Sequence, residues 1–371
     1  MTYSSHNDED HYGGLADLLD SSQDEELDCS EVRVEKFYHA GLSWWRTPTQ
    51  NRFLGSTTKS GSKRYYTDLL TSRNKAVSQL KPSSNPQLQG MWARFINKVT
   101  KTKTKSGGNT PFQRLSHSEG NLNDLNANGL TFNVLGPVEK NTSDGPGLVR
   151  YHASKTGQST NGHSVLLRVD YHGVRVLLTG DLNQRSQHAL LDAYSGNEKA
   201  FHADIAKACH HGSDDVSYEF LATIKPAVTV ISSGDAEGHD HPRPSIVGAS
   251  GITGYLTIKD DKILTPLVYS TELARSVSLG DPDKLTVPKD GGGKRNLTGD
   301  NLTASRVYYK EQKPGALRPE KKSRSMGYTY VVAGQVYGLV NVRTDGDKIL
   351  CATMNEGNGT WQIKVTNGRF Q

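Results

Sequence analysis

Five short islands of histidine and aspartate limit what this chain can fold into more than any other feature. Most of them sit at the end of a run of β-branched and apolar residues. Asn161-Gly162-His163-Ser164 leads into residues 165–169, which read as a strand. Residues 174–182 form a second apolar run that ends in Gly180-Asp181. Residues 203–208 read as a short strand running into Cys209-His210-His211-Gly212-Ser213. Residues 228–233 are another, followed by Gly238-His239-Asp240-His241-Pro242-Arg243-Pro244. A carboxylate at the tip of a buried strand is too costly to leave unpaired. Loops on the ends of rigid strands are where sites are commonly built. The pattern therefore points to a site built by loops at the ends of strands on a rigid scaffold.

The fifth island comes first in the chain and is the densest: Ser5-His6-Asn7-Asp8-Glu9-Asp10-His11-Tyr12-Gly13-Gly14. Neutral imidazole and carboxylate oxygen suit Zn²⁺ or Mn²⁺. Alternation in an extended or turning segment points His6, Asp8 and Asp10 the same way. His11 breaks the alternation, so one short loop can serve two ions. An acidic terminal segment with incidental histidines is the alternative, and the other four islands weigh against it.

Together these segments resemble the metallo-β-lactamase-fold hydrolases, most closely the branch that includes the soluble hydrolase domain of bacterial competence (DNA-uptake) channel proteins. That branch carries a Ser-His-x-Asp-x-Asp-His-x-Gly-Gly segment, matched by Ser5 to Gly14. Its Leu-Leu-Thr-Gly-Asp is matched by Leu177 to Asp181, its His-His-Gly-Ser by His210 to Ser213, and its His-Pro-x-Pro by His241 to Pro244. The resemblance covers residues 1–15 and about 160–250. It implies an α/β fold, an αββα sandwich with a polar insertion at about 50–160 and a β-rich C-terminal part. The hydrolase domain would be residues 1–255 and the β-rich region residues 256–371. It also implies two divalent metal ions, Zn²⁺ or Mn²⁺. One would be held by His6, Asp8 and His163, the other by Asp10, His11 and His210, with Asp181 bridging. Asp8 stands where many relatives have histidine, and the branch often has asparagine or serine near the position of His163. Relatives place two or so strands before the first island, where this sequence has residues 1–5. The missing strands are expected from the C-terminal part or another polypeptide, unless the reading frame starts late.

At 371 residues the chain can bury a hydrolase core of roughly 200–250 residues and carry further modules. A hydrophobic content of 34% with 37 glycines favours a loop-rich layered domain over a helical bundle. No run approaches the roughly 18 apolar residues of a membrane helix, and no basic-then-apolar leader is visible. Cys29, Cys209 and Cys351 are odd in number and widely spaced, which predicts no zinc knuckle or disulfide framework and a reduced, cytoplasmic protein. Helices are expected at 13–20, with Leu15, Leu18 and Leu19 on one face, and at 89–99. Residues 32–39 read as a strand, 106–110 as a flexible joint and 277–322 as a loose region. The tail returns to strands at 328–332, 336–342, 348–353 and 361–365, with turns at 344–347 and 358–359.

A pair of divalent ions bridged by Asp181 would suit phosphodiesters, lactones, β-lactams and thioesters alike, so the substrate needs a separate argument. The net charge is +5, with basic runs at Lys98 to Lys105 and at Lys321-Lys322-Ser323-Arg324. That balance favours nucleic acid as the partner, with Lys101, Lys103 and Lys105 as backbone contacts. Either run alone is equally readable as a solvated loop, and Trp44-Trp45 as core. Asp10, His211 and His241 are expected to take part in the chemistry. His211, Ser213, His241 and Arg243 would be donors to phosphate oxygens or a leaving group. The expected function is a dinuclear metal-dependent phosphodiesterase or nuclease. The rivals are a non-nuclease hydrolase of phosphoesters or lactones and a metal-binding subunit active only in a complex, with a protein partner or a homo-oligomer.

Overall fold

The apolar runs that carry the islands form neighbouring strands of one sheet. The computed structural model describes residues 2–20, 32–233, 241–271, 278–311, 320–329, 331–333, 339–355 and 360–367. Cys29, residues 238–240 and the turn at 358–359 lie outside them. The sheet has seven strands in the order Leu267–Ser270, Val228–Ile231, Ile205–Lys207, Val174–Leu178, Leu166–Tyr171, Leu130–Gly136, Gly120–Asn121. The first four are mutually parallel and the rest antiparallel. Parallel neighbours need a crossover, and the helices Gln184–Ala193, Tyr218–Ile224 and Pro244–Thr253 fill those connections.

Side chains alternate across each strand, so the sheet buries both faces. Leu135, Leu166 and Leu177 pack with Leu190, Phe201, Phe220 and Ile246 of the helical layer. Their neighbours Val134, Val165 and Leu167 face the other way, onto Tyr38 and Leu115. Tyr38 belongs to a second, all-parallel sheet made of Thr2–Tyr3, Phe37–His39 and Phe112–Arg114. The far face of that sheet, Phe37 and Phe112, packs against Tyr12, Trp92 and Phe95. These come from the entry to helix Gly13–Leu18 and from helix Gly90–Lys101. In the first of these, Leu15, Ala16 and Leu19 pack inward, while Leu18 is half-buried outside the cluster.

The polar 50–160 stretch therefore supplies much of a core. Trp92, Phe95, Ile96 and Val99 are buried at i, i+3, i+4 and i+7 on one helix face, and Leu54, Leu69, Leu70 and Leu88 join them. Trp44 and Trp45 are buried in the same cluster. The strand expected over 32–39 is confined to Phe37–His39.

The C-terminal strands Val340–Thr344, Lys348–Asn355 and Thr360–Asn367 form their own antiparallel sheet. Ile349 and Cys351 lie on the face of the seven-stranded sheet against Val174, Ile205 and Val228. This corrects the expectation that they complete the first sheet, since Thr2–Tyr3 takes its partner from Phe37–His39. The local turn explains the difference. The Asp345 carboxylate accepts the N–H groups of Asp347 and Lys348, which fixes hairpin pairing before any distant strand can compete.

Phe95 is fully buried, so Phe95→Ala should lower the free energy of unfolding by about 3–5 kcal/mol. Urea titration measures this, and a loss below about 1 kcal/mol would make the 50–160 stretch an appendage.

Candidate metal centre

Parallel strands release their following loops at the same edge, and here that edge gathers the islands. Asp181 follows the strand Val174–Leu178, His210 and His211 follow Ile205–Lys207, and Ser232 follows Val228–Ile231. The first island arrives beside them because Ser4 N–H bonds to Tyr38 O and Val165 N–H to Ser5 O. Trp44 pins the same loop by donating to Asn7 O at 3.0 Å. Gly180 has φ +55°, and a Cβ there would lie 2.6 Å from Ser164 Cβ. Only glycine lets the Asp181 turn sit this close to the neighbouring loops.

Four side chains meet at this edge, with the ligand-type atoms of Asp10, His11, Asp181 and His211 all within 4.8 Å of one another. His11 Nε2 is 3.1 Å from Asp181 Oδ1. His211 Nε2 is 3.3 Å from Asp181 Oδ2 and 3.2 Å from Asp10 Oδ2. Asp181 is buried and Asp10 is exposed on the open side. Burial alone would raise the Asp181 pKa, but hydrogen bonds from His11 and His211 and the nearby Lys207 charge hold it well below the usual carboxylate range. Burial depresses His11. His211 goes the other way, pushed up to about 10 by its hydrogen bonds to Asp10 and Asp181. Its Nδ1–H also donates to Ser232 O at 2.7 Å, so in this state both ring nitrogens hold a proton.

Two serine hydroxyls orient the remaining groups. Ser5 Oγ lies 3.1 Å from His6 Nδ1 and 2.9 Å from His11 Nδ1. Ser164 Oγ lies 3.1 Å from His6 Nδ1 and accepts the Asp181 N–H at 2.9 Å. For His6, whose Nδ1 meets two hydroxyls, the lone pairs favour the tautomer that leaves Nε2 bare toward the site, while His11 Nε2–H faces the Asp181 carboxylate. His6 Nε2 is buried with no hydrogen-bond partner and lies 3.6 Å from Asp8 Oδ2. Thr160 Oγ1 donates to that carboxylate at 3.1 Å. The donor set of imidazole and carboxylate, together with the bare His6 nitrogen, fits a divalent metal of the Zn²⁺ or Mn²⁺ type.

The sequence placed other residues differently. His211, expected as a donor outside the metal set, belongs to the four-residue cluster. His210 faces Asn161, with its Nε2 3.2 Å from Asn161 Nδ2, and burial lowers its pKa. His163 is not brought in. Its Nε2–H donates to Val149 O at 2.7 Å, its ring stacks on Tyr151 at 4.9 Å, and burial depresses it to about 4. Both His210 and His211 have positive φ, 47° and 52°. That left-handed backbone turns the two rings apart, which spacing alone does not reveal. Sequence reading also passed over Ser164 as an orienting group, along with Thr160, Asn161 and Lys207. Their only sequence signal is adjacency to the islands.

The cluster forms one wall of a cleft of about 870 Å³, also lined by Asp8, His210, Ser213, His241 and Arg243. The His241 ring is 5.8 Å from that of His210, and Ser213 Oγ accepts the Asp215 N–H. Lys101, Lys103 and Lys105 do not line it. All three are exposed, and Lys103 Nζ donates to Asn109 Oδ1.

No family model matches the chain. It is 32% identical over 128 residues to competence protein ComA of Neisseria gonorrhoeae, a match covering 33% of this chain and 16% of that protein. It is 28% identical over 90 residues to ComE operon protein 3 of Bacillus subtilis (strain 168), covering 24% of this chain and 11% of that protein. The matches thus span less than a fifth of the length of these relatives, and the similarity is to part of a competence protein. No helix among the described residues is long and apolar enough to cross a membrane.

His211 must give up its Nε2 proton to coordinate an ion, so uptake and protons compete. Below a pKa of about 10 that proton is in place, and apparent affinity should fall as pH falls. Adding Zn²⁺ or Mn²⁺ to chelator-stripped protein around pH 7–8 should release about one proton per chain from this position. A pH indicator in weak buffer reads this. His211→Ala should abolish the release and weaken binding at least about tenfold. Uptake without proton release would place the ion elsewhere.

Proposed function

We propose that this chain is a dinuclear metal-dependent phosphodiesterase acting on nucleic acid, built on a metallo-β-lactamase-type sandwich. The observation that carries the reading is the convergence of Asp10, His11, Asp181 and His211 at the wall of an open cleft. The stacking of helices, seven-stranded sheet, parallel sheet and helices supports the sandwich. The partial similarity to competence proteins supports a role with DNA. We assign residues 1–255 to the hydrolase domain, with the 50–160 stretch packed into it, and residues 256–371 to a β-rich region.

Divalent ions bound here would supply an activated water and neutralise the charge that develops on phosphorus. The protein holds the parts in place. Asp181 lies between two imidazoles and would serve as the shared carboxylate. Asp10, His11 and His211 would complete one position, and His6, Asp8 and His210 would hold the other. Asp10 leaves that first position open to the cleft. His241 and Arg243, on the cleft lining, donate to phosphate oxygens or protonate the leaving oxygen.

His241→Ala should lower turnover by roughly 10²–10⁴-fold while metal content stays intact, as for a group acting in the transition state. Elemental analysis of protein purified without chelator should find about two ions per chain. The substrate panel is DNA, RNA, bis-p-nitrophenyl phosphate, a lactone and a β-lactam, each with Mn²⁺ or Zn²⁺. Cleavage of the lactone or β-lactam alone overturns the phosphodiesterase reading. Silence on the whole panel points instead to a subunit that is active only in a complex.

A further inference from the structure

A second cleft, of about 930 Å³, opens beside the first and carries a different charge pattern. Its cations are Lys63, Arg64, Lys140, Arg150 and Arg185, drawn from four separate segments of the chain. None has a carboxylate within ion-pair distance among the described residues. Arg150 donates to the His152 and Ala153 carbonyls. Arg185 donates to Tyr151 O, and Lys140 sits over the Tyr65 ring. Of the two carboxylates on the lining, Glu139 is tied to Arg114 at 2.6 Å, which leaves Asp192.

Solvated surface cations are the ordinary reading of such residues. One observation counts against it. Here cations from four segments converge on one concavity with little opposing charge, and a concave, single-sign surface focuses its field on an anion.

The two clefts share a wall. Tyr151 and His152 line the basic one, whereas Lys155 and Gln158, a few residues on, line the metal cleft. Arg185 and His188 of helix Gln184–Ala193 face the basic side. The same helix begins where Gln184 N–H bonds to Asp215 O, and Asp215 lines the metal cleft. His163 braces this ridge through Val149 O and the Tyr151 ring.

We propose that the second cleft binds the sugar-phosphate backbone of a nucleic-acid strand that continues over the ridge into the metal cleft. The direction of the strand rests on the phosphodiesterase reading, but the binding does not. Backbone contacts of this kind act by counterion release, so they leave a salt signature. The contact set is distinct from the lysine run at 101–105.

The test is fluorescence anisotropy of a labelled oligonucleotide with the full chain in chelator, across a salt series. K63E/R64E/K140E/R185E should bind roughly 10²-fold more weakly, and its log–log salt slope should shrink by about 3, near 0.7–0.9 per lost phosphate contact. Turnover of bis-p-nitrophenyl phosphate, too small to reach the groove, should be unchanged. If the reversal variant does not fold, K63Q/R64Q/K140Q/R185Q reads the same effect at smaller size. Unchanged affinity and slope in a folded variant overturn the proposal. Heparin or polyphosphate competing as well as the oligonucleotide at equal charge overturns the nucleic-acid assignment. A wild-type chain silent toward DNA, RNA and bis-p-nitrophenyl phosphate with Mn²⁺ or Zn²⁺ that still shows the groove-dependent change supports the groove and sinks the hydrolase reading.

Discussion

A carboxylate shielded from water on nearly every side, that of Asp181, is the constraint on which the site depends. An ionised carboxylate so buried costs several kcal/mol unless it is compensated. The protein compensates it with His11 at 3.1 Å, His211 at 3.3 Å and Lys207 at 3.8 Å. The partners come from the first island and from the end of the strand Ile205–Lys207. Satisfying one charge therefore fixes the relative position of the first island, the Gly-Asp turn and the His-His loop. A divalent cation is a further partner that Asp10, His11, Asp181 and, once deprotonated, His211 would share.

The backbone adapts to that demand. Gly180 and Gly212 both take positive φ. A Cβ on Gly212 would press on Pro242, just as one on Gly180 would press on Ser164. His210 and His211 accept left-handed conformations that cost a non-glycine residue on the order of 1–3 kcal/mol each. Such strain persists when neighbouring structure over-determines it, and here the His210 N–H to Gly180 O bond and the His211 to Ser232 bond do so.

Much of the scaffold was legible because period-2 apolar runs say where strands lie and carboxylates at their tips say which edge is polar. Asp10, His11 and Asp181 followed from that logic. Their exchange partners did not. Which of His210 and His211 turns inward is decided by two φ angles, and His163 is claimed by a carbonyl from a segment fourteen residues upstream. The 50–160 stretch reads as polar on average, yet one helix face with Trp92, Phe95, Ile96 and Val99 suffices to build a core. Composition averages over surface and face, and a core depends only on the face. The basic groove was invisible for the same reason, since Lys63, Lys140 and Arg185 are far apart in sequence and meet only after folding. The lysine run at 101–105 drew attention, and its exposed side chains lie outside both clefts.

The two clefts differ in electrostatic character, and that difference bears on order of events. The metal cleft carries the carboxylates of Asp8, Asp10, Asp181, Asp214 and Asp215 against Lys155 and Arg243. Without cations in place, a phosphodiester would meet net repulsion there. The adjoining groove has the opposite sign and no such requirement. A strand would thus be captured by the groove whether or not the cleft is loaded. Only a loaded cleft, its sign inverted, would accept the scissile phosphate. Binding and turnover would then respond to different ions, monovalent salt for the first and divalent metal for the second.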